Sequence, residues 1–106
     1  MKKFLLSESG DRGWFVGSFE KAVFKTDQFE VAYKFSPKGE TGESHYHKIA
    51  TEITLVATGS VHMNGLVFNS GDIFILEPNE VSVYECLEDT FFVTIKTPGA
   101  KNDKYL

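Results

Sequence analysis

Turn-forming residues divide this chain into segments of strand length. Three such turns are Asn64-Gly65, Ser70-Gly71-Asp72 and Glu77-Pro78-Asn79-Glu80, and each stands beside an apolar run. Signals of this kind recur about every 8–12 residues, which is the spacing of a β-sandwich or a small barrel. No segment has a convincing 3.6-residue period, and no glycine-rich linker or long repeat divides the chain. The sequence therefore predicts a single all-β domain over residues 1–106.

Several segments have the residue pattern of strands. From Phe29 to Phe35, large apolar residues alternate with small or charged ones, which predicts a half-buried strand. Asn64-Gly65 predicts a two-residue hairpin, because both residues tolerate the positive φ angles of a type I′ turn. Further strands are predicted at residues 53–57, 73–76, 81–85 and 90–96, and in the segment that holds His45 and His47.

Composition limits the partners of the chain. The formal net charge is −4 and the lysines are scattered, which argues against nucleic acid or an anionic membrane as the main partner. A small anionic ligand could still bind where the local charge is positive. Cys86 is the single cysteine, so no internal disulfide can form and a thiol-reducing compartment fits. The N-terminal apolar run is too short for a signal-peptide core, and no membrane span is found, so we expect a cytoplasmic protein.

The segment from Gly39 to Gly59 carries the sharpest chemical signal. His45 and His47 are one residue apart, a spacing that puts two side chains on one face of a strand. Glu52 lies beyond a short loop, at the start of the next predicted strand. Two imidazoles and a carboxylate can hold a divalent metal and leave other coordination positions open. The segment therefore predicts a metal site at His45, His47 and Glu52.

The same segment resembles the first motif of the cupin superfamily. That motif reads Gly, five residues, His-x-His, three or four residues, Glu, six residues, Gly, and this chain fills every fixed place with four residues in the variable gap. The resemblance implies an antiparallel cupin barrel (a double-stranded β-helix, or jelly roll) and a metal bound by His45, His47 and Glu52. Manganese, iron, nickel and zinc are all compatible with these ligands.

The second cupin motif is recognisable but altered. Gly71 opens it, yet Ser82 stands where the family has a metal-binding histidine, and Cys86 stands at the motif's asparagine. The resemblance thus implies a metal without its fourth protein ligand. Alternation along a strand places Ser82, Tyr84 and Cys86 on one face, so all three would line the cavity if Ser82 does. His62 is on a later strand, and its facing is left open.

A second likeness lies near the N-terminus. The run from Asp11 to Phe15 resembles the opening strand of cupin enzymes that act on nucleotide-linked sugars, and His45-Tyr46-His47-Lys48 resembles the His-x-His-Lys of the dTDP-sugar ketoisomerases. This likeness implies metal-free proton transfer by His45 or His47, with Tyr84 as the partner acid. Arg12 or Lys48 would then meet the diphosphate.

Three functions are compatible with these patterns. They are a metal-dependent cupin whose reaction is open, a metal-independent nucleotide-sugar isomerase or epimerase, and a non-catalytic module that binds a sugar or small acid. The metal would lie at the barrel centre, and the ligand of a binding module would lie in the barrel mouth. Phe91 and Phe92 must place one ring on each face of their strand, so one ring faces the barrel and the other is available for an interface. The resemblance implies a homodimer, because small cupins commonly associate through a sheet, and this pair of rings is compatible with that.

Overall fold

The computed structural model describes residues 1–100 and 102–106, and within these residues the chain is built almost wholly from short strands. A 3₁₀ turn at Leu6–Glu8 precedes eight strands, which are β1 (Trp14–Val16), β2 (Glu30–Ser36), β3 (Thr51–Thr58), β4 (Ser60–Met63), β5 (Leu66–Asn69), β6 (Ile73–Leu76), β7 (Tyr84–Cys86) and β8 (Thr90–Thr97). The described residues contain no helix with the length and apolar character that a membrane crossing needs.

The strands form two antiparallel sheets that face each other. One has five strands in the order β1-β2-β8-β3-β6, and the other has three in the order β5-β4-β7. Strand β8 lies at the centre of the larger sheet, with β2 on one side and β3 on the other. This arrangement confirms the predicted all-β antiparallel barrel.

The predicted turns lie where the glycines indicated. Asn64 and Gly65 both have positive φ angles, of 49° and 85°, and join β4 to β5 as the Asn-Gly pair predicted. Gly59 has φ of 102° between β3 and β4, and a Cβ there would collide with the backbone oxygen of Asp89. Both its positive φ angle and this close approach therefore favour glycine at the corner.

Strand β2 has the predicted alternation, and its small and charged residues lie on the inner face. The residues that point into the barrel are Ala32, Lys34 and Ser36, whereas Tyr33 and Phe35 are exposed. The apolar set does not lie inside because the barrel interior holds a polar cavity. An alternating pattern shows that a strand has two different faces, and it does not show which face the fold encloses.

The enclosed apolar core is small and lies at one end of the barrel. Val56, Val61, Cys86 and Phe92 are at most 9% exposed and pack together. Phe92 is thus the ring of the Phe91-Phe92 pair that faces inward, and Phe91 lies on the outside against Phe35. The remaining interior volume is the cavity in which the candidate site lies.

The segment that holds His45 and His47 is not a regular strand, which corrects the strand predicted there. His45 makes an isolated bridge to Ser82, and Tyr46 makes one to Tyr105 near the C-terminus. The predicted strand at 81–85 is likewise reduced to β7 and the Ser82 bridge. These segments form the cavity rim, where single bridges replace a continuous ladder.

Candidate functional site

A cavity of about 490 Å³ opens between the two sheets. His45, His47 and Glu52 all line it, so the fold brings the predicted trio to one wall. Arg12, Ser82 and Tyr84 also line it. The described lining further includes the cationic residues Lys34, Lys96 and Lys104 and the acidic residue Glu43.

His47 is held from the side opposite the cavity. Its Nδ1 donates a hydrogen bond to the backbone oxygen of Asp103, since a carbonyl oxygen can only accept. Its Nε2 lies 3.0 Å from Oε1 of Glu52, and both side chains are largely buried, at 12% and 17% exposure. This contact lacks the geometry of a hydrogen bond, and Nε2 has no hydrogen-bond partner in the described part of the chain. Nε2 is therefore a buried ring atom without a hydrogen-bond partner, facing the Glu52 carboxylate.

His45 is oriented in a similar way. Its Nδ1 lies 2.9 Å from the backbone oxygen of Glu43 and must be the donor. The two imidazole rings meet edge to face with centroids 5.4 Å apart. When neutral, both rings therefore carry their proton on Nδ1 and present an unprotonated Nε2.

The three predicted ligands are not gathered into a finished metal site. His47 and Glu52 are in contact, but among the described residues no group of three or more His, Cys, Asp or Glu side chains is arranged to hold a metal ion. The donor chemistry and the tautomers fit a divalent transition metal, because ligand histidines commonly give their other N–H to a backbone carbonyl. Of the three predicted ligands, His47 and Glu52 are the two that are in contact.

Asp103 anchors the C-terminal segment beneath this pair, and sequence reasoning missed it. Its carboxylate is 2% exposed and accepts hydrogen bonds of 2.9–3.2 Å from the backbone N–H groups of Lys48, Ile49 and Ala50. Burial by itself would raise the pKa of Asp103, but these N–H groups outweigh it and lower the pKa below its usual value. Asp103 stays ionised and fixes the loop between His47 and β3.

Aromatic contacts also attach the C-terminal segment to the histidine segment. The rings of Tyr46 and Tyr105 stack with centroids 5.5 Å apart, and the Lys48 ammonium lies 4.3 Å from the centre of the Tyr105 ring. Lys48 is thus exposed and engaged with the C-terminal segment. It is not among the described residues that line the cavity, where the sequence had placed it as a ligand contact.

Positive charge is concentrated in the cavity although the chain is acidic. Lys34 lies over the Trp14 ring at 4.6 Å, and burial lowers its pKa, while the nearby Glu52 carboxylate opposes that shift. Lys96 pairs with Glu30 at 3.2 Å, with both side chains at most 15% exposed. Arg12 is mostly exposed and pairs with Asp11 at 3.3 Å. A signal for Lys34 and Lys96 was present, since each interrupts an apolar strand.

The predicted face of Ser82, Tyr84 and Cys86 divides between cavity and core. Ser82 and Tyr84 line the cavity, and burial raises the pKa of the Tyr84 phenol, with the Glu40 carboxylate adding to the shift. Cys86 lies deeper, 1% exposed in the apolar core, and is not among the described lining residues. His62 is exposed on β4, between the inward-facing Val61 and Met63, so it does not reach the site.

Solved structures share this architecture. A conserved protein with a double-stranded β-helix domain from Klebsiella pneumoniae matches 92% of this chain and 85% of its own, with a TM-score of 0.67 and 23% identity. KdgF from Halomonas sp. matches 73% of this chain and 74% of its own, at 0.65 and 21%. An RmlC-like cupin from Shewanella frigidimarina matches 74% and 72%, at 0.63 and 22%.

The chain therefore has the cupin fold, and the resemblance found in its sequence is confirmed at the level of the fold. No protein-family model matches the chain, and no curated protein is significantly similar to it in sequence. Because the structural neighbours are less than 25% identical, the likeness carries the fold alone, and function must be argued from the residues of the cavity.

Proposed function

We propose that the cavity binds a small anionic molecule, such as a sugar carrying phosphate groups, and that His47 moves a proton on it. One observation carries this proposal. A buried imidazole, fixed through Nδ1, places an Nε2 without a hydrogen-bond partner beside Glu52, on the wall of a cavity lined by Arg12, Lys34, Lys96 and Lys104. Fixed bases in partly dry, charged cavities are the usual setting of general acid–base chemistry.

The residues divide the work between binding and proton transfer. Cationic side chains would bind phosphate or carboxylate oxygens through charge-assisted hydrogen bonds. A neutral His47 would take a proton from a carbon next to a carbonyl, leaving the electron pair in the enolate, and the adjacent Glu52 would stabilise the imidazolium. Tyr84 keeps its proton at neutral pH, since a phenol pKa is about 10 even before burial raises it, and its hydroxyl would return a proton to that carbon.

Ligand binding is tested by thermal shift with pyrophosphate and with dTDP-, UDP- and GDP-linked sugars. We expect at least one to raise the melting temperature, with affinity falling about tenfold or more in Lys34→Met, because hydrogen bonds to charged groups contribute about 1.5–3 kcal/mol. Lys25→Met removes an exposed lysine outside the cavity and serves as the matched control. The absence of any shift would rule out this ligand class.

Proton transfer is tested separately by NMR in D₂O. A ligand that binds should exchange a carbon-bound proton for deuterium in wild-type protein and not in His47→Gln. Exchange that persists in His47→Gln would contradict the role of His47. Binding without any exchange or conversion would instead favour the non-catalytic binding module.

A divalent transition metal is the second candidate, and the unpartnered Nε2 of His47 favours it. His47 and Glu52 would hold the ion, and His45 already presents the required tautomer. When bound, such an ion would polarise an oxygen atom of the substrate.

Elemental analysis distinguishes the two candidates. Protein purified without chelators, then exposed in turn to manganese, iron, nickel and zinc, should retain about one equivalent of one of them. The His47→Gln variant should retain none. If no ion is retained by wild-type protein, the metal candidate is wrong and the acid–base proposal stands alone.

A further inference from the structure

Two threonines lie side by side on the wall that the five-stranded sheet gives to the cavity. Thr54 on β3 and Thr94 on β8 are directly paired, and both line the cavity. Their hydroxyl oxygens are 3.1 Å apart, so one hydroxyl donates a hydrogen bond to the other. Both residues are buried, at 4% and 8% exposure. We call these two residues the threonine pair.

The threonine pair has hydrogen-bonding capacity that the protein does not use. A hydroxyl carries one donor hydrogen and two acceptor lone pairs. Whichever threonine accepts within the pair keeps its own O–H group, and neither side-chain hydroxyl has a second hydrogen-bond partner among residues 1–100 and 102–106. One donor and several lone pairs therefore remain available at the cavity wall.

The pair stands between the charged end of the cavity and the apolar core. The directly paired residues on one side of it are Lys96 and Glu52, which line the cavity. Those on the other side are Phe92 and Val56, which belong to the core. Because the surroundings are largely removed from water, a hydrogen bond made here is stronger than one made at the surface.

The fold by itself does not require hydroxyl groups at these two positions. Valine has nearly the shape of threonine and is also well suited to strands. Replacing both members of a hydrogen-bonded pair by apolar groups of the same shape is close to neutral or even stabilising. Polar groups at positions where apolar groups would pack equally well are expected chiefly where a protein binds something.

A further buried hydroxyl lies on the other wall of the cavity. Ser82 is 6% exposed, lines the cavity and precedes β7 of the three-stranded sheet. Its Oγ lies 3.6 Å from the sulfur of Met63, which is a weak acceptor, so this hydroxyl can also bond to a ligand. A molecule between the sheets would therefore meet hydroxyl groups on both sides, which suits a ligand with several hydroxyl groups of its own.

We propose that the threonine pair binds a hydroxyl group of the ligand, and that the ligand is a polyhydroxylated anion. A ligand hydroxyl both donates and accepts, so it can accept the unused O–H group of one threonine and donate to a lone pair of the pair. A phosphate or carboxylate oxygen can only accept, and the cationic side chains of the cavity bind it. The inference rests on the anion binding proposed above and adds the residues that select among anions.

Calorimetric titration with ribitol 5-phosphate and with pentyl phosphate tests the inference. The two probes share the charged group and the number of carbon atoms, and ribitol 5-phosphate alone carries hydroxyl groups along its chain. Wild-type protein should bind ribitol 5-phosphate more tightly. In the double variant Thr54→Val with Thr94→Val, the ratio of the two affinities should fall about tenfold, since a buried pair that binds a hydroxyl discriminates against analogues that lack it.

Three further variants make the test specific. Thr58→Val is the matched control, because Thr58 is exposed at the end of β3 and is not among the described residues that line the cavity. Thr54→Ser retains a hydroxyl and should retain the preference for ribitol 5-phosphate. Thr94→Val alone decides the question if the double variant does not fold, as circular dichroism would show.

The melting temperature without ligand separates recognition from a structural role. A double variant that melts at or above the wild-type temperature and has lost the preference would support the inference. Equal affinity of wild-type protein for the two probes, or a preference that the valine variants retain, would overturn it. If neither probe binds although pyrophosphate does, the inference is wrong and the anion site stands. If pyrophosphate also fails to bind, the proposed function is wrong as well.

Discussion

The inner face of the five-stranded sheet is charged and polar, whereas its outer face is apolar. The inner face carries Lys34, Glu52 and Lys96 around a cavity, whereas the outer face presents an uncharged apolar surface. Charges inside a barrel are costly unless they are paired, and Lys96 is paired with Glu30 while His47 contacts Glu52. The comparison shows that in this small barrel the interior serves a ligand, and much of the apolar surface faces outward.

The sharpest test of this comparison uses two neighbouring rings. Phe92→Ala should lower the free energy of unfolding by about 3–5 kcal/mol, because Phe92 fills the core and its loss leaves a cavity. Phe91→Ala should cost about 1 kcal/mol, a typical value for a partly exposed site. Urea denaturation measures both. Equal costs for the two rings would refute the assignment of inner and outer faces.

The second prediction concerns the anchor of the inner site. Asp103→Asn should cost about 1–3 kcal/mol, because either orientation of the amide turns an NH₂ group toward backbone N–H donors. The imidazole signals of His47 should shift in ¹H–¹⁵N spectra, since its Nδ1 partner moves with the segment. Asp27→Asn, at an exposed aspartate, is the control for the charge change. Unchanged His47 signals together with lost stability would mean that Asp103 does not position the ring.

The smallest predicted effect is a pH dependence of stability that comes from Cys86 in the apolar core. Burial, with the Glu40 carboxylate adding to it, raises the pKa of the Cys86 thiol above its unfolded value. The folded state therefore holds its proton more tightly, so this contribution to stability is complete below about pH 8.5 and declines as the pH rises. Urea midpoints between about pH 7 and 10 should fall more steeply for wild type than for Cys86→Ser. Parallel curves would contradict this prediction.

Local patterns predicted the elements of the fold well. The Asn64-Gly65 hairpin, the turn at Gly71 and the strand that became β8 depend on residues close in sequence, and their signals were read correctly. His47 and Glu52 were found for the same reason, because a short motif places them on one wall. The facing of β2 was not predictable, since its alternation fits either orientation.

The missed parts of the site depend on distant contacts. Asp103 acts on a loop more than 50 residues earlier, so no local pattern reports it. Lys48 was assigned to the ligand from its neighbour His47, but the approach of Tyr105 draws its ammonium outward. Cys86 shares a parity with Tyr84, yet it lies in the apolar core and is not among the described residues that line the cavity. The alternation of residues along a strand tells on which face a side chain lies, but it does not tell how deeply that side chain is buried.

The separation of 56 residues between His47 and Asp103 has a consequence for the order of folding. Contacts between distant residues require the intervening chain to be organised first, because closing a long loop costs entropy. The histidine loop is anchored by the last residues of the chain, so its geometry is completed only when the C-terminal segment docks. Hydrogen exchange should then show the amides of Lys48, Ile49 and Ala50 opening together, before the strands of the barrel do.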